Sequence, residues 1–247
     1  MTEDRLARIR LMLGEEKLER LKGAFVVVVG LGAVGSYAVE GLARSGVGRL
    51  RLVDFDVVRA SNINRQLYAL GSTLGRHKSA VAGERVADIN PHCRLEVLNL
   101  FAAEDTFDAI LDGKPDLVVD AIDSLGPKTG LIAETIKRGI PLISSMGAAL
   151  RTDAAAVRTG RFSKVAGCPL AAKVRKLLRK KGLKLDFQCV YSVEPVGELG
   201  TRRQVDPETV YFEKGRRRAA LGSLPTLTGI FGLTMANAAI QRLAEGK

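Results

Sequence analysis

The chain has 247 residues, 46% of them apolar, and 38 Lys and Arg against 27 Asp and Glu give it a net charge of +11 at pH 7. That length suits one large or two small domains with a sizeable core. There is no charged-then-apolar leader and no apolar run near the ~20 residues a membrane span requires, so a cytoplasmic protein is expected; Cys93, Cys168 and Cys189 are too scattered for a disulfide framework or a four-cysteine zinc site.

In chain order, Arg5 to Lys22 reads as a helix with Leu6, Ile9, Leu13 and Leu18 on its apolar side and Arg5, Arg8 and Arg10 elsewhere, broken at Gly14. The apolar run Phe25 to Val29 then ends in Gly30, Gly32 and Gly35, followed by a segment with Val34, Ala38 and Leu42 on one face. That is strand, tight turn, helix. Glycines there let main-chain amides approach a phosphate at a helix N-terminus. A turn serving only helix packing is the alternative. A second strand, Leu50 to Val53, delivers Asp54 at about the offset (~20 residues) of a ribose-binding acid, which favours the nucleotide.

After Asp54 come Asp56, the run Ser61-Asn62-Ile63-Asn64-Arg65-Gln66, and Lys78. Two cations and an amide suit a triphosphate attacked at its α-phosphate, where fixed donors stabilise the developing charge. The spacing of Val81, Val86 and Ile89 predicts a helix from Lys78 to Asn90, stopped because the residue before Pro91 avoids helical geometry. His77 and His92 lack partners at metal-ligand spacing and read as non-metal positions. Arg94 to Leu100 alternates like a strand, and Ala103 to Leu111 reads as a short helix.

Asp116 to Ser124 is a buried parallel strand ending in acids at the sheet's carboxyl edge, where open α/β sheets bind ligands. Ile140 to Ser145 is the next strand, with the loop Met146 to Ala149 beyond it. This alternation specifies an α/β fold with a doubly wound, Rossmann-like, mostly parallel sheet and a C-terminal extension. Residues 1–150 are expected to form the nucleotide-binding domain, with 151–247 packed on it as a basic and C-terminal segment.

From Ala154 to Leu185 there is no Asp or Glu among many Lys and Arg. Such a single-sign field attracts polyanions, nucleic acid above all; a solvated helix face is the plainer alternative. Within it, Pro169 to Lys181 reads as a helix stopped by Gly182. Leu224 to Leu243 is a last helix, apolar on most sides, in which Gly229, Gly232 and Ala236 permit close packing in a core or dimer contact.

The pattern DFDxVxxSNxNRQ over residues 54–66, followed by GxxK ending at Lys78, resembles the adenylating enzymes related to ubiquitin-activating enzymes, including the bacterial molybdopterin and thiamine sulfur-carrier activators. Three further phrases narrow the likeness: Pro169-Leu170-Ala171-Ala172-Lys173-Val174-Arg175, Cys189-Val190-Tyr191-Ser192-Val193-Glu194, and Asp120-Ala121-Ile122-Asp123-Ser124 with Pro127-Lys128. Together they resemble the tRNA threonylcarbamoyladenosine dehydratases, from about Leu13 to the C-terminus. Ala33 stands where relatives commonly have glycine, Cys168 stands where an acid is common, and Gly200 to Arg218 is hard to align.

The resemblance implies ATP and Mg2+ as cofactors. Gly30, Gly32 and Gly35, with Arg65 and Lys78, would serve the phosphates. Asp54 and Asn62 would hold ribose, Asp56 would belong to the same site, and Asp123 would sit by the triphosphate and its magnesium, unless it merely caps a helix opened by Pro127. Arg8, or failing that Arg5, would reach across a two-fold homodimer to the partner's ATP. The substrate would be tRNA, with Lys173, Lys176, Arg179 and Lys180 binding it. Relatives are associated with a cysteine desulfurase and its sulfur acceptor. Cys189, among apolar neighbours, is expected to be a buried, inert thiol. Activation of a ubiquitin-like sulfur-carrier protein is the second reading, opposed by the missing zinc cysteines and the basic tract. A non-enzymatic nucleotide-sensing or RNA-binding module is the third, and it leaves Arg65, Lys78 and Asp123 without a task.

Overall fold

Two short helices, α1 (Ala7–Leu13) and α2 (Glu15–Gly23), are divided at Gly14, whose φ of 82° suits glycine. Strands and helices then alternate: β1 (Phe25–Val29), α3 (Gly35–Arg44), β2 (Arg49–Val53), α4 (Lys78–Ile89), β3 (Arg94–Leu98), α5 (Phe107–Leu111), β4 (Leu117–Asp120), α6 (Leu125–Lys137) and β5 (Leu142–Ser145). Next come β6 (Val157–Arg161), α7 (Pro169–Lys180), β7 (Gln188–Ser192), the two-residue strands β8 (Gln204–Val205) and β9 (Ala219–Ala220), and α8 (Pro225–Glu245). This computed structural model describes residues 4–196, 204–205 and 219–246; most of the hard-to-align stretch from Gly200 to Arg218 lies outside them.

The main sheet has seven strands in the order β3-β2-β1-β4-β5-β7-β6. All its pairings are parallel except the last, where β6 runs antiparallel along the edge of β7. The sheet therefore continues across residue 150. The direction of strand succession reverses between β1 and β4, so their carboxyl ends open the crevice in which such sheets take ligands.

Alternation along β1 divides the core between two faces. Val26 and Val28 join Leu21, Ala38, Leu42, Val81, Val86, Phe231 and Met235, from α2, α3, α4 and α8. Phe25, Val27 and Val29 join Phe107, Ile110, Leu131, Ile132, Val174 and Leu178, from α5, α6 and α7. The last helix is thus a core element laid against α3. A Cβ on Gly232 would lie 2.3 Å from the Val34 carbonyl oxygen, which is why the small residues of α8 are needed. Among the described residues no helix is long and apolar enough to cross a membrane.

Several expectations need correction. The strand expected over Asp116 to Ser124 is Leu117–Asp120, ending where the Asp120 carboxylate takes the Ile122 amide, and the strand expected from Ile140 begins at Leu142. The helix after β4 opens at Leu125 behind Ser124, two residues before Pro127, so Asp123 is not its N-cap. Residues 103–106 form a turn rather than helix, because the Thr106 hydroxyl takes the Ala103 amide and donates to the Phe101 and Ala103 carbonyls. The strand after α4 ends at Leu98 rather than Leu100. Strands β6 and β7 carry too little alternation to be read locally; β6, Val157-Arg158-Thr159-Gly160-Arg161, is a largely exposed edge held by its pairing with β7.

Candidate nucleotide-binding site

The glycine turn lies at the carboxyl end of β1, and its glycines do different work. Gly30 has φ of 88°, and a Cβ there would meet the Ala121 carbonyl carbon at 2.9 Å. A Cβ on Gly35 would stand 1.8 Å from the Gly30 carbonyl oxygen. Both are therefore required by backbone packing. A Cβ on Gly32 would meet only the Gln66 side-chain nitrogen, at 3.6 Å, so nothing in the fold itself demands glycine there. Its bare backbone is free for close approach by a ligand.

Three helix N-termini open at this rim. The N-cap residues of α3 (Val34), α4 (His77) and α6 (Ser124) place no side-chain acceptor on their helices, and no first turn carries an acid. Uncapped amides and the positive ends of the helix dipoles make this a place for phosphate oxygens.

Asp54, 9% exposed, holds the glycine turn: one carboxylate oxygen accepts the Leu31 amide at 2.7 Å and the other the Asp56 amide at 2.9 Å. Burial pushes its carboxyl above the ordinary aspartate range, against the pull of Lys78 and the two amides. The acid expected to hold ribose is thus the brace of the glycine turn. The loop from Asp56 to Lys78 is closed at its neck, where the Lys78 amide donates to the Asp56 carbonyl at 3.0 Å and the Val58 amide to Arg76 at 2.8 Å.

Lys78 is 6% exposed, and its ammonium lies 2.6 Å from Asp56. Burial acts to raise the Asp56 carboxyl, but Lys78, the Val57 amide and Arg59 outweigh it and hold it below the usual range. Arg59, which sequence reasoning passed over, approaches Asp56 at 3.4 Å. Asn62, buried, accepts the Arg59 amide at 3.1 Å and so shapes the loop. Arg65 is half-buried and donates to the Ser61 carbonyl at 2.7 Å and to Asn64 at 2.8 Å. Asp123 is exposed beyond the end of β4.

The ThiF family profile matches residues 3–247. This chain belongs to the ThiF family. It is 42% identical over 227 residues to the tRNA threonylcarbamoyladenosine dehydratase of Bacillus subtilis, covering 91% of this chain and 89% of that protein. The crystal structure of the Escherichia coli tRNA threonylcarbamoyladenosine dehydratase in complex with ATP superimposes with a TM-score of 0.86 at 32% identity, covering 98% of this chain and 94% of that one. The molybdopterin-synthase adenylyltransferase of Salmonella typhimurium is 39% identical over only 138 residues, 56% of this chain and 54% of that protein. The likeness to the dehydratases thus extends over most of the chain, well beyond the 138 residues shared with that adenylyltransferase.

This ThiF family member holds a buried pair the sequence reading left without a role. Lys128 and Asp120, both with side chains 0% exposed, meet at 2.7 Å, and Ser144 donates to the same Asp120 oxygen at 2.6 Å. The available signal was an acid closing an apolar strand, followed by a lysine in the next helix.

The basic helix is amphipathic: Ala171, Val174 and Leu178 are buried, whereas Lys173, Lys176, Arg179 and Lys180 are exposed. Three bases of the tract are occupied within the fold, Arg158 by the Ala155 and Val157 carbonyls. Arg175 bonds the Phe162 and Val165 carbonyls, and Arg161 pairs with Asp186 at 2.7 Å. Cys168 caps the helix by accepting the Ala171 amide, and a Cβ built on Gly147, beyond β5, would lie 3.5 Å from its sulfur. Phe162, which Arg175 reaches, is bonded to Phe187 at the start of β7. The helix therefore starts near the carboxyl end of β5 and runs ~18 Å towards the amino ends of the strands, with Arg179 and Lys180 at its far end.

Cys189 is fully buried, and burial, with Cys168 nearby, pushes its thiol up to about 12, as expected of an inert side chain. Arg5 bonds the Asp88 and Ile89 carbonyls at the end of α4 in its own chain, whereas Arg8 is exposed on a helix with no buried residue.

Proposed function

We infer that this chain is an ATP-dependent dehydratase that cyclises the threonylcarbamoyl group of a modified adenosine in tRNA. The observation that carries the reading is the rim itself: uncapped helix N-termini, an unobstructed Gly32 and the buried Lys78 lie at the switch point of the sheet, in a chain that aligns with a dehydratase over 91% of its length.

In this reading the free carboxylate on the modification attacks the α-phosphorus of ATP. The bond from that phosphorus to the bridging oxygen breaks, and pyrophosphate leaves. The resulting acyl adenylate carries a good leaving group where the carboxylate had a poor one. The modification's own nitrogen then attacks the acyl carbon, AMP departs, and the ring closes with net loss of water from the nucleoside. No enzyme nucleophile is needed, in keeping with the buried Cys189.

The amides around Gly30, Gly32 and Gly35, with Arg65 and Lys78, stabilise charge on the phosphates. Asp54 and Asn62 serve the ribose side, and Asp56 holds Lys78 ready. Magnesium would arrive with ATP. Asp123 offers it one exposed carboxylate, and among the described residues no three His, Cys, Asp or Glu gather as a metal site, which fits an ion held mainly by phosphate oxygens. Lys173, Lys176, Arg179 and Lys180 form the track for the tRNA backbone, leading away from the rim. The exposed Leu11 and Met12, 80% and 83% accessible on α1 beside Arg8, suit a second copy of the chain, across which Arg8 reaches the partner's triphosphate.

The decisive experiment is mass spectrometry of tRNA nucleosides before and after incubation with the protein and ATP. Loss of one water from threonylcarbamoyladenosine, matched by AMP and pyrophosphate, is the expected result. Pyrophosphate exchange driven by a small carrier protein instead of tRNA would replace this reading with sulfur-carrier activation.

A further inference from the structure

We propose that Lys128 is a positioning residue for the reaction: through its buried pair with Asp120 it fixes the Ala121–Ser124 turn that presents Asp123 at the phosphate rim. The proposal rests on the reading of Asp123 as a group acting at the triphosphate.

A lysine and an aspartate with wholly buried side chains are a poor way to stabilise a fold, because desolvation offsets much of their attraction. What the pair does supply is a grip on one residue from both sides. One Asp120 oxygen accepts the Ile122 amide at 3.0 Å; the Lys128 ammonium, besides meeting the other Asp120 oxygen, donates to the Ile122 carbonyl at 2.9 Å. The peptide planes before and after Ile122 are therefore both held, and the second leads directly into Asp123. Ser144, opposite Asp120 in the pairing of β4 with β5, orients the carboxylate from the neighbouring strand.

The same turn also supports the glycine loop. A Cβ on Gly30 would lie 2.9 Å from the Ala121 carbonyl and 3.0 Å from the Ile122 nitrogen, so the loop rests directly on the peptide that Asp120 holds. The loop has its own brace in Asp54, and Lys78 has its own partner in Asp56. Asp123 follows directly on the Ile122 carbonyl that Lys128 holds. Loosening that pair should therefore misplace Asp123 more than it weakens ATP binding.

The test uses the full-length protein, ATP–pyrophosphate exchange and tRNA bearing the uncyclised modification. Asp120→Asn and Lys128→Met are made together, so that neither charge is left alone in the core. The expected result is a melting temperature and an ATP KM close to those of the original chain with kcat down about 100-fold, the scale for a reacting group displaced by about 1 Å. Asp123→Asn, costly in the original chain, should cost little more in the paired variant, because both lesions remove the same contribution. Unchanged kcat in the paired variant, or full additivity with Asp123→Asn, overturns the proposal. Full activity of Asp123→Asn alone removes its premise, and so identifies the assignment of Asp123 as the step that failed. Should the paired variant not fold, Ser144→Ala decides: a lowered kcat at unchanged KM supports the proposal, and an unchanged kcat overturns it.

Discussion

The Lys78 ammonium lies 2.6 Å from the Asp56 carboxylate, and the Lys78 amide donates to the Asp56 carbonyl at 3.0 Å, so the two residues are joined through both side chain and backbone. The cation assigned to the phosphates is thus held at the rim by a carboxylate of its own chain. Lys78→Ala should reduce pyrophosphate exchange by at least about 100-fold, the range for losing a fixed donor to a transition-state anion. Its affinity for tRNA in a filter-binding assay should stay near the original, since Lys78 lies outside the basic track. Equal loss of both would sink the division of labour.

The pair also has a pH signature. Asp56 has a folded-state carboxyl below its ordinary value, so its contribution to stability is present above the unfolded value of about 3.9 and is lost as pH falls through the lower folded value. Asp54 has the opposite sign: its folded value is raised, so stability declines as pH rises from about 3.9 through that value. Thermal melts of the original chain and Asp56→Asn should differ most near neutrality and converge below about pH 4. A gap that widens with acid would contradict the assignment.

The glycines should separate by role. Gly35→Ala forces a Cβ to 1.8 Å from a backbone oxygen, and is expected to destabilise the fold by at least about 3 kcal/mol. Gly32→Ala meets no backbone and should melt near the original temperature while losing ATP affinity, measured by calorimetry. A Gly32→Ala variant with unchanged ATP affinity would place the phosphates elsewhere.

Charge reversal of Lys176, Arg179 and Lys180 should weaken tRNA binding and flatten the slope of log affinity against log salt by about 2 to 3 units, close to one for each phosphate no longer neutralised. Pyrophosphate exchange at saturating tRNA should persist, because these exposed residues occupy the far half of α7.

If Arg8 serves the partner's site, Arg8→Ala and Lys78→Ala are each inactive alone but complementary in mixture. Random re-assortment would restore up to about a quarter of the original activity, since half of the dimers would be mixed and each would hold one intact site. Absence of recovery in a mixture shown to exchange subunits would assign Arg8 to its own chain or to no site.

Much of the site could be read from the chain as written because its signals are local. An apolar run broken by Gly30, Gly32 and Gly35 specifies strand, turn and helix within a few residues, and β1 spans Phe25–Val29 as expected. Asp54, the motif through Gln66, and Lys78 carry their chemistry in type and spacing, and the amphipathic period of α7 is likewise internal to the segment. Tertiary structure alone decided the rest. It set the order of the strands, the antiparallel addition of β6, the direction of α7 away from the rim, the anchoring of Arg5 to its own α4, and the burial of Lys128 with Asp120 and Ser144. Each depends on partners far apart in sequence, and a charged residue's identity does not reveal whether folding will leave it in water or enclose it with a countercharge from another element.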